Sequence, residues 1–402
     1  MAAPTAAPTA ATTAATSGTA PAIPLFDLAL RPQDTEAVAA TLRSGWLTMG
    51  PRVEAFERAF AAHLGVRHAV CVSSCTAALH LAYLAAGVGP GDEVIVPSIT
   101  FVATANAVRY CGGTPVFAEI RSMADPGIDP EHVRSLIGPR TRAVCAVHFA
   151  GYPAAVDELR TLCDAHGIAL VEDVAHAPSA TLHGRMLGSF GLAGAFSFFS
   201  NKILSCGEGG LLATDDDDVA ARARAMRSQG MTSGTWSRHI GATDTYDAAG
   251  PGFNYRLDDP RAALLLSRLG GLAEDIERRR LLVHRYRSLL AELDGLSVPY
   301  TGTDVDTSSC YVMPVVVDDP DRQGPLRRHL RDVHSVQTSL FYPPIHRFSA
   351  YEEVYGEQSL PRAERWARSE LTVPLFGHLT HAQQDRVVEA LADGLARGRD
   401  AA

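Results

Sequence analysis

A lysine caught between an aromatic run and a glycine cluster, in the stretch SFFSNKILSCGEGG (197–210), is placed for chemistry. Beside Phe196, Phe198 and Phe199, which read as part of a buried strand, Lys202 loses solvent, and its pKa falls from the usual value of about 10.4. An amine tuned that way can attack a carbonyl carbon and form a Schiff base. A solvated loop lysine is the commoner case, and Glu208 could also neutralise the charge. Two more stretches add weight. In VSSCTAALHLAYLAAG (72–87), Ser73, Ser74 and Thr76 lie where a strand turns into a helix, a place whose backbone N–H groups and positive dipole end suit a phosphate. Ordinary capping by Ser or Thr explains the same residues. In VEDVAHA (171–177), Asp173 ends an apolar run and His176 follows it. A carboxylate there can hold a cationic ring nitrogen. It can equally cap a helix beside a satisfied histidine, and as a metal site the pair lacks a third ligand.

Taken singly, each of these has a bland reading; their order in one chain is what points to chemistry. A phosphate-type helix start, an acid at a strand end and a lysine beyond it are the parts that pyridoxal 5'-phosphate needs: a phosphate cradle, a partner for the pyridine nitrogen and a Schiff-base amine. A dehydrogenase needs none of them. The nearest approach to a dinucleotide fingerprint, GVGPGDE (87–93), follows a helix and precedes a strand, the reverse of a Rossmann turn.

The elements that position these residues are legible as an alternation of β-rich runs and amphipathic segments, the sign of βαβ units and a mainly parallel sheet. Strands are expected at 68–73, 93–97, 114–120, 142–149 and 168–173, with helices over 76–86, 102–110 and 156–166. In an open sheet of this kind ligands sit beyond the carboxyl ends of the strands, which is where Asp173 falls. The runs GAFSFFS and GGLLATD bracket Lys202, and DDDDVAARARAMRSQ begins a helix with its acids at the positive end of the dipole. An irregular stretch at 230–256, ending in GPGFNYR, is long enough to suggest a functional loop. One long helical region is expected from Pro260 to Leu293, with a smaller mixed domain after it. The resulting division is a tail over 1–22, a large cofactor-binding domain over 23–258, and a linking helix with a small C-terminal domain over 259–402.

Composition narrows the class. The chain has 402 residues, 46% of them apolar and 20% charged, which suits a folded globular protein. A formal charge of -9 with no long basic block argues against nucleic acid as a partner. The seven cysteines form no close CxxC pair, and we expect reduced thiols in a cytoplasmic protein, with no bound metal. The Ala-, Thr- and Pro-rich residues 1–22 have neither the basic start nor the apolar run of an export signal and are expected to be a disordered tail. No run of about 20 apolar residues reads as a membrane span.

From about Ile23 to Leu391 the sequence resembles the DegT/DnrJ/EryC1/StrS family of pyridoxal-phosphate-dependent sugar aminotransferases. The motifs CTAALHLAYLAAGVGPGDEVIVPSITFVATANAV, VEDVAHA, GSFGLAGAFSFFSNK, GEGG and GFNYR carry the resemblance, in the family's order. It implies an α/β, fold-type I aminotransferase: a large domain with a mainly parallel seven-stranded sheet flanked by helices, and a smaller C-terminal α/β domain. It also implies that Lys202 is the Schiff-base lysine and the general acid/base, and that Asp173 holds the pyridinium. Phe101 would stack on the cofactor ring, His176 would sit near its phenolic oxygen, and Ser197 with the backbone of Cys75 and Thr76 would bind the phosphate. Asn254 would reach the phosphate of a neighbouring subunit, so that the active site is complete only in a homodimer.

The implied reaction moves an amino group from glutamate or glutamine to a keto sugar, most simply a nucleotide-linked 4-keto-6-deoxyhexose, in antibiotic or polysaccharide sugar biosynthesis. A keto-cyclitol acceptor of the aminoglycoside type is the alternative, and a non-catalytic cofactor-binding regulator is a rival of another class. Some members carry histidine at the lysine position and act as dehydratases; Lys202 argues for transamination. Tyr342, His346 and Arg256 are candidate substrate contacts, with Arg238 and Arg347 as further cations for a diphosphate. Three departures from the family pattern stand out: Ile203 after the lysine, Cys75 before Thr76, and Phe341 where histidine is frequent. None removes a reacting group, and Phe341 bears on the substrate.

Overall fold

Seven strands of the described chain build one sheet, and Asp173 and Ser197 end two of them. The structure is a computed structural model that describes residues 23–397; the tail expected over 1–22 lies outside the described residues. In chain order the strands are β1 (His68–Val72), β2 (Glu93–Pro97), β3 (Thr114–Ala118), β4 (Thr141–Val147), β5 (Ala169–Asp173), a short hairpin β6 (Thr181–Leu182) and β7 (Arg185–Met186), then β8 (Ala193–Ser197) and β9 (Gly210–Thr214). The sheet order is β1-β9-β8-β5-β4-β2-β3. Strand β9 pairs antiparallel with both neighbours, while β8, β5, β4, β2 and β3 run parallel.

These runs become strands of one buried sheet because they are apolar almost throughout, as a sheet covered on both faces requires. Val94–Val96, Val144–Ala146, Leu211–Ala213 and Val70–Val72 are buried to the last residue. Amphipathic helices such as Cys75–Ala85, Ala103–Tyr110, Val156–His166 and Asp217–Met226 join or cover the strands.

The expected single helix over Pro260–Leu293 is two helices, Asp259–Leu269 and Leu272–Leu290, because Gly270 and Gly271 interrupt it. Paired glycines lower helix propensity enough for the chain to turn there. Beyond it, β10 (Leu296–Ser297), β11 (Met313–Val317) and β12 (Glu370–Val373) form a three-stranded antiparallel sheet. It packs under the helices Pro320–Asp332 and His381–Arg397 around a second apolar core that includes Tyr286, Val315, Leu330, Leu371 and Leu391. Ile23 belongs to this second core and bridges to Val336, whereas Phe341, Tyr351 and Trp366 return to the first core. The two cores therefore exchange segments of chain near the site. No helix among the described residues is long and apolar enough to cross a membrane.

Candidate active site

Between β8 and β9 the chain makes an irregular excursion, and Lys202 rides on it. The excursion is pinned at its base by Phe198 N–H donating to Gly209 O at 2.9 Å and Cys206 N–H donating to Phe198 O at 2.9 Å. Strand β8 ends at Ser197, so Phe198 is buried beyond it and Phe199 is half out at 44% exposed. At the other end of the site, the helix Cys75–Ala85 starts directly after β1, with Ser74 extended at its N-cap and accepting from Ala77 N–H at 3.2 Å. Gly210 is what lets β9 pass this turn: a Cβ there would stand 2.2 Å from Ser74 C and 2.5 Å from Cys75 N.

These ends enclose a cavity of about 370 Å3 whose lining includes Ser74, Cys75, Thr76, Phe101, Asp173, His176, Ser197, Lys202, Tyr311 and Tyr342. Lys202 Nζ donates to Tyr311 Oη at 3.2 Å. Burial pulls the lysine down to about 8, with the charge of Asp173 and then Cys75 opposing. Glu208 lines the cavity but is not the group that balances Lys202; Asp173 is.

Asp173 is fixed by Thr104 Oγ1 at 2.9 Å and Ala175 N–H at 3.1 Å, and Thr104 Oγ1 lies 3.0 Å from Thr100 Oγ1. Burial pushes its carboxyl above the ordinary range, while the Ala175 and Thr104 bonds and Lys202 pull back. Cys75 Sγ stands 3.9 Å from Asp173 Oδ1, and burial drives that thiol well up, so it stays protonated. His176 bonds through Nε2 to Tyr342 Oη at 2.9 Å, and burial, then Lys202, holds it well below its ordinary value. It is a neutral imidazole.

Sequence reasoning missed Tyr311 and Thr104. Tyr311 stacks on Phe26 at 5.7 Å and lies 4.4 Å from the His176 ring, centroid to centroid. It stands just before β11, and nothing in its spacing links it to Lys202. Three expected residues do not line this cavity on their own chain. His346 is buried, with Nδ1 2.6 Å from Ser98 Oγ and Nε2 3.1 Å from Glu364 Oε1, so both ring nitrogens are engaged within the chain. Arg256 donates to Ser228 Oγ at 3.3 Å. Asn254 is exposed and its backbone bridges to Ser228. Of the further cations, Arg347 is bound up with Glu352, Glu357 and Glu364, and Arg238 with Ser233 and Tyr246. Ile203, one of the departures, is buried, and its carbonyl accepts from Arg268 at 3.0 Å. Phe341, another, is anchored by its N–H to Glu370 Oε2 at 2.7 Å and lines the cavity.

The profile of the DegT/DnrJ/EryC1/StrS aminotransferase family matches residues 29–392. The chain belongs to that family. It is accordingly an aminotransferase that depends on pyridoxal 5'-phosphate, built on the fold-type I plan. It is 40% identical over 385 residues to the dTDP-3-amino-3,4,6-trideoxy-alpha-D-glucose transaminase of Streptomyces venezuelae, covering 94% of this chain and 97% of that one. It is 38% identical over 376 residues to the spore coat polysaccharide biosynthesis protein SpsC of Bacillus subtilis, covering 92% and 95%. Among solved structures, S. venezuelae DesV in complex with a ketimine intermediate superposes with a TM-score of 0.85 at 39% identity, over 93% of this chain and 98% of DesV.

The residues present fit the cofactor. His176 Nδ1 and Asn201 Oδ1 are buried side-chain atoms with no partner among the described residues, and both residues line the cavity, one near Asp173 in sequence and one beside Lys202. The helix start at Cys75 suits a phosphate, and the partly satisfied Asp173 suits a ring N–H. A second chamber of about 400 Å3 opens next to the first and shares only Asn201 and Lys202 with it; Phe26, Asp27, Arg268, Asp275 and Arg279 are among its walls.

Proposed function

We propose that this aminotransferase carries nitrogen from glutamate or glutamine to a nucleotide-linked keto-6-deoxyhexose. The observation that carries the reaction is Lys202: a half-buried, neutralisable amine that shares a cavity with a buried carboxylate and a helix N-terminus. The cofactor would be held by Ser74, Cys75, Thr76 and Ser197 at its phosphate and by Asp173 at its ring nitrogen, with Phe101 against the ring and His176 beside it. When bound, it supplies an electron sink for charge left on the substrate carbon. Asp173 keeps a proton on the ring nitrogen. Lys202, with its pKa pulled down to about 8, would take and return the proton at the reacting carbon, and Tyr311 would orient its Nζ.

What favours a nucleotide sugar over a keto-cyclitol is the S. venezuelae relative, whose named product is a dTDP-linked 6-deoxy amino sugar. That product bears nitrogen at C3, so the 3-keto isomer belongs beside the 4-keto one in any test. The chamber shared through Lys202, with guanidinium and carboxylate groups on its walls, suits polar and partly anionic substrates. The experiment mixes enzyme loaded with pyridoxamine phosphate with a panel of dTDP-keto sugars and keto-cyclitols and follows return of the aldehyde-form absorbance. A dTDP-keto-6-deoxyhexose should restore it; restoration by a keto-cyclitol alone would overturn the acceptor, and by none would favour the regulator.

We further propose that the working unit is a homodimer in which Asn254 serves the neighbouring site. Its exposure and its absence from its own chain's cavity support this. Mixing inactive Lys202→Ala with weakened Asn254→Ala subunits should restore activity, since one site of each hybrid then keeps both groups. No restoration in proven hybrids would place Asn254 on its own chain's site. A cytoplasmic setting fits seven buried, unpaired cysteines.

A further inference from the structure

Far from Lys202 in the chain, three side chains of the small domain converge in a way the reaction does not use. His329 lies near the end of helix Pro320–Asp332, His334 just beyond it, and Asp393 on helix His381–Arg397. His329 Nε2 stands 2.8 Å and His334 Nε2 3.1 Å from the same oxygen, Asp393 Oδ2. The other oxygen, Oδ1, accepts from Arg397 Nε at 3.1 Å, which turns Oδ2 toward the imidazoles. The two rings meet edge to face, 5.1 Å between centroids.

Backbone packing brings the cluster together. A Cβ at Gly394 would stand 2.5 Å from Leu326 Cδ1 and 3.0 Å from His329 Cδ2, so the glycine beside Asp393 is what lets the last helix close on His329. The neighbouring His334, His329 and Arg397 hold Asp393 well below the ordinary carboxylate range, so it is an anion at neutral pH. The donor atoms of all three residues lie within 4.8 Å of one another.

Two imidazoles and a carboxylate are the donor set of zinc-type ions, bound at about 2.0–2.2 Å. Ligand atoms at that radius sit roughly 3 Å apart around the ion. The two imidazole-to-carboxylate edges already have that length, and the imidazole nitrogens lie within 4.8 Å of each other. We propose that His329, His334 and Asp393 form a binding site for one divalent transition-metal ion of the zinc class, with water in the remaining positions. Imidazole donors select such ions over Mg2+ and Ca2+, which prefer all-oxygen shells. The ion clips the last helix to the end of helix Pro320–Asp332, and its role is to stiffen the small domain.

The test uses untagged, full-length enzyme with its cofactor bound. Co2+ is titrated in by equilibrium dialysis with elemental analysis, and its visible ligand-field band is followed. Wild-type enzyme should take up one equivalent per chain, His334→Gln and Asp393→Asn should bind at least about tenfold more weakly, and turnover should be unchanged. Zn2+ should raise the thermal midpoint of wild type and not of the variants, whose metal-free midpoints report whether they fold. Absence of a saturable single equivalent in wild type, or equal uptake by folded His334→Gln, would overturn the site.

Discussion

Glu172 and Asp173 are adjacent on β5 and both are buried, yet they do opposite work because they face opposite sides of the sheet. Glu172 accepts from His148 Nε2 at 3.0 Å and from the N–H groups of Gly188, Phe190 and Gly191 at 2.7–2.8 Å. Burial alone would raise it, but those donors bring it below its ordinary value. It is saturated, and it ties the loop after β7 to the sheet. Among the described residues Asp173 has only Thr104 and Ala175 as hydroxyl or amide donors, and burial leaves it raised. The difference between Glu172 and the carboxylate proposed to hold the cofactor ring is the number of donors the fold supplies. A carboxylate left short of donors in a dry site holds acceptor capacity in reserve for a cationic ligand.

Four substitutions would sharpen or break that contrast. The largest effect belongs to Lys202→Ala, which should cut transamination by about 10^4-fold or more in steady-state assays while the fold survives. Asp173→Asn should slow the chemical step by roughly 10^2 to 10^4-fold, with substrate KM little changed. Glu172→Ala should act on stability instead. It leaves His148 and three backbone donors buried without their acceptor, a loss of about 3–5 kcal/mol readable in urea unfolding. Tyr311→Phe removes one hydrogen bond to Nζ and should lower turnover only about three- to tenfold.

Acidity gives a further handle. Only the unprotonated amine of Lys202 attacks an aldehyde, so the rate at which apoenzyme captures pyridoxal phosphate should climb as pH rises through about 8 and level off above it. Asp173 favours the charged lysine, so Asp173→Asn should move that midpoint downward; an upward move would contradict the pairing.

Much of this was legible in the sequence, for physical reasons that differ by element. Strands β1 to β5 announce themselves because a sheet covered on both faces needs unbroken apolar runs, and Asp173 stands at the end of such a run, whereas Lys202 lies on the excursion beyond β8. Glu172 carries the same letters as a catalytic acid, and only the loop that folds under it shows that it is structural. Tyr311 and Thr104 were illegible because their partners are distant in sequence. The split at Gly270 and Gly271 was readable in principle, since adjacent glycines weigh against a continuous helix, but the charged run after them masked it. His346 looked like a substrate contact by resemblance, and its engagement by Ser98 and Glu364 is a tertiary fact.

Under the proposed function Asp173, and not its neighbour, tunes the reaction at Lys202. The direct measurement is a stopped-flow half-reaction with saturating glutamate on wild type, Asp173→Asn and Glu172→Gln, each loaded with cofactor and shown to be folded. The account predicts a rate at least about 100-fold lower for Asp173→Asn and one near wild type for Glu172→Gln. An Asp173→Asn enzyme as fast as wild type would contradict it.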